Sequence, residues 1–168
     1  MLVGLPKNAA NFPSIRRARD LFNDWLYFRT LGVTLTLNCY FTNNYVFIPG
    51  YVLTLLSKAP TTGTCADVPG TADYVLTPGE MSAINSRMAE MNAYIQAKAN
   101  DNGYAYFSLE AVYGQPKPRF SLVDILFSNQ PFGPYISLDG VHPSAAGQGL
   151  LADAAFQAVS ARYFAATP

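Results

Sequence analysis

The stretch "LTPGEMSAINSRMAEMNAYIQAKANDNG", residues 76–103, followed at once by "YAYFSL", residues 104–109, decides the fold class. Thr77 precedes Pro78, which fits the first position of a helix because its missing N–H needs no partner there. Glu80 stands three residues after Thr77 and completes a capping box. Met81, Ile84, Met88, Met91 and Ile95 recur at helical spacing as a buried stripe. Gly103 is the stop, since a helix C-terminus favours a residue free to adopt a left-handed conformation. The alternation in residues 104–109 then predicts a strand directly after the helix.

Outward from this unit the same logic repeats. "LVGL", residues 2–5, is too short for a helix, is ended by Pro6, and reads as a buried strand. In "NFPSIRRARDLFNDWLYFRTLG", residues 11–32, Ile15, Ala18, Leu21, Phe22, Trp25 and Leu26 predict an amphipathic helix stopped at Gly32, with Arg16 placed to meet Asp20. Residues 30–57 carry no charge, are rich in β-branched and aromatic side chains, and read as extended or irregular structure over an apolar surface. That region reads first as ordinary core, and a lid or acyl-chain wall is the functional alternative. Asn38, Asn43, Asn44, Pro49 and Gly50 interrupt it too often for a membrane span. Residues 59–73 and 113–135 read as loops, and a last helix begins after Pro143. Strands separated by long helices predict an α/β domain with parallel pairing.

A chain of 168 residues supports one compact domain, residues 1–168. With 11 basic and 11 acidic side chains the net charge is zero, which offers nucleic acid or an anionic membrane no electrostatic footprint. Aromatic residues make up 14% of the chain, a surplus that fits an apolar ligand or a partner chain. Cys39 and Cys65 are too few for a disulfide framework, and the sequence leaves their pairing open. The first residues lack the pattern of a signal peptide, and the compartment is left open. One histidine and two scattered cysteines build no usual zinc or iron site, and there is no glycine-rich phosphate loop, so neither metal nor cofactor is expected.

Chemistry concentrates in "SLDGVHPSAAGQG", residues 137–149, which holds the only histidine, His142. Asp139 and His142 can share one tight turn, the carboxylate folding back to Nδ1 and leaving Nε2 outward as a general base. Pro143 stiffens the turn and Ser144 caps the helix. By spacing alone the same residues read more simply as an Asp-Gly turn that opens a helix.

"LDGVHPSAAGQGLLADAAFQAV" resembles the Asp-x-x-His-Pro block and terminal helix of the SGNH (GDSL) hydrolase family. "LVGLPKNAANFP" is similar to that family's strand and Pro-rich turn after its Asn block, and residues 74–109 are similar to the helix and strand before its His block. The resemblance covers most of the chain and is weakest over residues 30–70. It implies a flavodoxin-like three-layer α/β/α domain, truncated or rearranged, that corresponds to the C-terminal part of a member from its fourth strand onward. It also implies that Asp139 orients His142, and that His142 is the base in hydrolysis of carboxylic or lipid esters. Family members are often exported. The chain departs from the family in having no Gly-Asp-Ser block and no Gly-x-Asn-Asp block, which supply the nucleophile and oxyanion donors. Ser14, in the turn after the first strand, is the candidate replacement, and it also reads as a plain helix N-terminal residue. The other source is a second chain, so a homo-oligomer or domain-swapped dimer is expected. A non-catalytic remnant that binds an apolar ligand or partner chain is the competing reading.

Overall fold

The computed structural model describes residues 1–69 and 74–164. Strand β1 (Leu2–Gly4) is followed by a 3-10 turn over Ala9–Asn11, strand β2 (Ile15–Arg17) and the short helices α1 (Ala18–Phe22) and α2 (Trp25–Thr30). Strand β3 (Val33–Leu35), helix α3 (Asn38–Phe41), strand β4 (Tyr45–Phe47) and helix α4 (Ile48–Ser57) come next, then β5 (Thr61–Gly63) and β6 (Val75–Leu76). The long helix α5 (Pro78–Asp101) leads into β7 (Tyr106–Ser108), α6 (Glu110–Tyr113), α7 (Leu122–Phe127) and α8 (Ala145–Tyr163).

The chain is therefore mixed α/β, with its strands in three small sheets. β1 pairs β7 in parallel, Val3 opposite Phe107, and β3 pairs β5 in parallel, Thr34 opposite Thr62. β4 lies between β2 and β6, antiparallel to both. The expected parallel pairing therefore holds for these two pairs and fails for the three-stranded sheet, and the connection from β1 to β7 runs through the strands of both other sheets rather than through one helix.

Helix α5 has the expected cap: Thr77 Oγ1 accepts from the Glu80 N–H, the Glu80 carboxylate accepts from the Thr77 N–H, and Gly103 stands at φ +69°. Its buried stripe differs from the expected one. Met81 and Met88 are buried, whereas Ile84 and Met91 are exposed and Asn85 and Asn92 turn inward. Asn92 accepts from the Leu5 N–H at 2.6 Å and donates to the Leu5 carbonyl at 3.1 Å, and Asn85 accepts from the Ala9 N–H at 2.8 Å. The backbone just past β1 needs partners, and amides at i and i+7 on the helix supply them.

Residues 15–32 are not one helix. The backbone of Ile15–Arg17 pairs with β4, so a strand takes the first turn of the expected helix. Asn23-Asp24 then breaks the remainder, and the Asp24 carboxylate accepts from the Leu122 N–H at 2.6 Å. Arg16 does not close an ion pair with Asp20. Its Nε donates to the Pro13 carbonyl at 2.9 Å. Residues 30–57 are also more regular than expected, holding two strands and two helices. Val33, Val46, Ile48, Tyr51, Val52 and Leu55 of this stretch pack with Phe28, Phe120 and Leu122 into the largest core cluster. The loop expected over 59–73 contains strand β5, and its residues 70–73 lie outside the described ones. The loop expected over 113–135 contains α7.

Cys39 and Cys65, both fully buried, form a disulfide. The asparagines around it are polar fasteners: Asn38 bonds Thr64 Oγ1 and the Cys65 N–H, and Asn44 donates to the Cys65 carbonyl. Among the described residues no helix is long and apolar enough to cross a membrane.

Candidate active site

The turn that precedes α8 is built by short-range polar bonds. The Ser137 N–H donates to the His142 carbonyl, the Gly140 N–H to the Ser137 carbonyl, and Ile136 bridges Pro143. Gly140 adopts φ +72°, a region that costs a side-chain-bearing residue. Ser144 caps α8, accepting from the Gly147 N–H while its hydroxyl donates to the Pro134 carbonyl at 2.6 Å. Tyr113 fastens the turn from outside, its hydroxyl donating to the Val141 carbonyl.

Asp139 and His142 meet in this turn as their spacing predicts. Asp139 Oδ2 lies 2.5 Å from His142 Nδ1. Its Oδ1 accepts from Ser137 Oγ at 2.7 Å, the Val141 N–H at 2.8 Å and the His142 N–H at 2.9 Å. These bonds, that from Ser137 first, hold the carboxyl well below the usual carboxylate range. An ionised carboxylate only accepts, so the neutral imidazole carries its proton on Nδ1 and presents a lone pair on Nε2. Nε2 has no hydrogen-bond partner among the described residues, and the imidazole side chain is 78% exposed. The pair has the geometry and tautomer of an oriented general base.

Ser14 comes to the same turn from far away in sequence. Its N–H donates to the Gly140 carbonyl at 3.2 Å and its carbonyl accepts from the Ile48 N–H at 2.8 Å. The side chain is buried to 1% exposure beneath the turn, and Oγ has no hydrogen-bond partner. A Cβ on Gly140 would stand 2.8 Å from Ser14 Cβ and 2.8 Å from the Phe132 ring, which measures how closely these groups are stacked. Ser14 and His142 therefore belong to one neighbourhood, one sealed inside it and the other open to solvent. The hydroxyls of Ser57, Ser108, Ser121, Ser128, Ser137 and Ser144 each have a hydrogen-bond partner, which for Ser108 is the distant Leu5 carbonyl.

An apolar pocket of about 140 Å³ borders the turn, lined by Val52, Leu53, Ile125, Leu126, Phe132 and Leu138. Phe132 is the wall it shares with Gly140, and Leu138 is the neighbour of Asp139. Among the described residues no three His, Cys, Asp or Glu side chains gather as a metal-binding set.

Sequence reasoning passed over two residues here. Ser137 has no motif around it, although a Ser two residues before an Asp can donate to its carboxylate. Tyr113 has no local signal at all, because its partner lies 28 residues away. Comparison with protein-family models, with curated proteins and with solved structures finds no match for this chain.

Proposed function

We propose that this chain is a serine-type hydrolase of carboxylic or lipid esters, with His142 as general base and Asp139 as the carboxylate that orients it. The observation that carries the reading is the 2.5 Å Nδ1–Oδ2 contact combined with an open Nε2. In the proposed reaction a serine Oγ attacks the acyl carbon while its proton passes to Nε2. His142 then gives that proton to the leaving alkoxide, and water repeats the sequence to release the acid. The SGNH-type, flavodoxin-like arrangement is part of the proposal. It is supported by the parallel β1–β7 pair, with α5 packed against β1, and by the Asp-x-x-His-Pro turn entering α8. The pocket beside the turn suits a short acyl chain, since an apolar cavity of about 150 Å³ accommodates a benzene-sized ligand.

Two sources of the nucleophile enter the proposal. Ser14 is favoured by its unpartnered hydroxyl under Gly140, and it acts only once the turn lifts. A serine from a second copy is favoured by the exposed imidazole and by the edges of β1 and β7 left without a strand partner among the described residues. A dimer in light scattering at micromolar concentration is expected on the second route, and a strict monomer removes it. The non-catalytic reading has its own support in the burial of Ser14 and in exposed Phe41, Phe127 and Phe156, which fit an apolar ligand or partner.

The experiment is fluorophosphonate labelling followed by peptide mass spectrometry, with His142→Ala beside the wild type. One labelled serine, lost in the variant together with hydrolysis of short acyl esters, is the expected result. No label on folded wild-type protein refutes the hydrolase and leaves the binding reading.

A further inference from the structure

A second concave site lies away from the Asp139–His142 turn. β2 contributes Arg16 and Arg17, α1 contributes Asp20, β4 contributes Tyr45, and the segment after α6 contributes Lys117. Together they line a cleft of about 380 Å³. The cleft adjoins a hollow of about 220 Å³ that shares Arg16, Asp20 and Lys117 and adds Arg119. The two hollows together are lined by four cations and one carboxylate, with the Arg17 guanidinium lying over the Tyr45 ring.

The two innermost cations are poorly compensated. Arg16 is 9% exposed, and its Nε donates to the Pro13 carbonyl. Lys117 Nζ reaches only the Phe12 carbonyl, at 3.3 Å. Neither forms an ion pair among the described residues, where the close pairs are Arg87–Glu90 and His142–Asp139. Burial and the nearby Arg16 guanidinium bring the Lys117 ammonium down to about 8, and Asp20 offsets only part of this. A chain of zero net charge has no general reason to collect like charges at one place and withdraw them from water, because each withdrawn charge costs free energy until it is paired. An arriving oxyanion reverses both costs, since it supplies the missing opposite charge and accepts the unused donors.

The geometry points to a phosphate-binding cleft at Arg16, Lys117 and Arg119, taking the phosphoryl group of a small molecule. Three considerations select phosphoryl. The excess of cations over carboxylates suits a dianion better than a single carboxylate. A guanidinium and an ammonium that converge from different segments match tetrahedral oxygens. The cleft is also roomier than one bare ion of that kind, which leaves space for the group that carries it. The inference is independent of the hydrolase reading, because none of these residues belongs to the Asp139–His142 turn.

The test is calorimetric titration of the full chain at neutral pH and constant ionic strength, with pyrophosphate and inorganic phosphate as probes and succinate as the carboxylate control. Saturable binding of the phosphates, with succinate at least about tenfold weaker, is expected. Lys117→Met should weaken pyrophosphate by about tenfold or more, which corresponds to about 1.4 kcal/mol. Asp20→Asn should strengthen it several-fold by removing the one competing carboxylate, and Lys58→Met, at the end of α4, should leave it unchanged. Arg16 is left intact because its burial couples it to folding. A thermal-shift series checks that each variant is folded before titration. Absence of phosphate binding overturns the inference. So does succinate binding as tightly as phosphate, or Lys117→Met and Asp20→Asn variants that bind like the wild type.

Discussion

Replacing Gly140 by alanine tests the packing that joins the Asp139–His142 turn to Ser14. Gly140 sits at φ +72°, and an L side chain in this left-handed region costs roughly 1–2 kcal/mol. The added methyl would stand 2.8 Å from both Ser14 Cβ and Phe132 Cζ, inside van der Waals contact. Neither neighbour yields freely, since Ser14 is held by backbone bonds to Gly140 and Ile48 and Phe132 is buried in its own cluster. Overpacking of this kind costs typically about 1–3 kcal/mol. The two effects sum to about 2–5 kcal/mol, which for a chain of this length lowers Tm by about 4–20 °C. The assay is chemical and thermal denaturation of Gly140→Ala beside Gly149→Ala. Gly149 lies inside α8 with nothing within 4 Å of the added Cβ, so alanine there stabilises by about 0.5–1 kcal/mol. Gly147→Ala falls on the costly side, because its Cβ collides with the Tyr135 carbonyl oxygen. A loss below about 1 kcal/mol for Gly140→Ala, or equal effects at 140 and 149, would refute the stacking argument.

The Cys39–Cys65 bond closes a separation of 26 residues, so its removal in a Cys39→Ala/Cys65→Ala double variant should cost about 3.5 kcal/mol by loop entropy, read by urea denaturation. A cost under about 1 kcal/mol would exclude that account. The Asp139 carboxyl is held below its unfolded value of about 3.9, so the stability it adds is full above that pH and declines as pH falls through the folded value. The stability gap between wild type and Asp139→Asn should therefore hold steady above about pH 5 and narrow progressively as pH falls below about 4. A gap of constant size would show that the hydrogen bonds of the turn do not depend on the ionised carboxylate.

Local chemistry was legible from the chain alone. The capping box at Thr77 and Glu80, the stop at Gly103, the cap at Ser144 and the meeting of Asp139 with His142 all depend on groups within a few residues of each other, and spacing determines such bonds. The mixed α/β class followed from the same periodicities. Tertiary structure decided the rest wherever a distant partner outbid a local preference. Ile15–Arg17 fits the apolar spacing of a helix, yet its backbone is taken by β4, and Asp24 turns away to Leu122. Ile84 and Met91 match the helix stripe, but asparagines face inward because the chain past β1 needs amide partners. The burial of Ser14 beneath Gly140, and the gathering of Arg16 with Lys117, likewise join residues more than a hundred positions apart. Spacing in sequence carries no information about such contacts, because each depends on how whole segments pack.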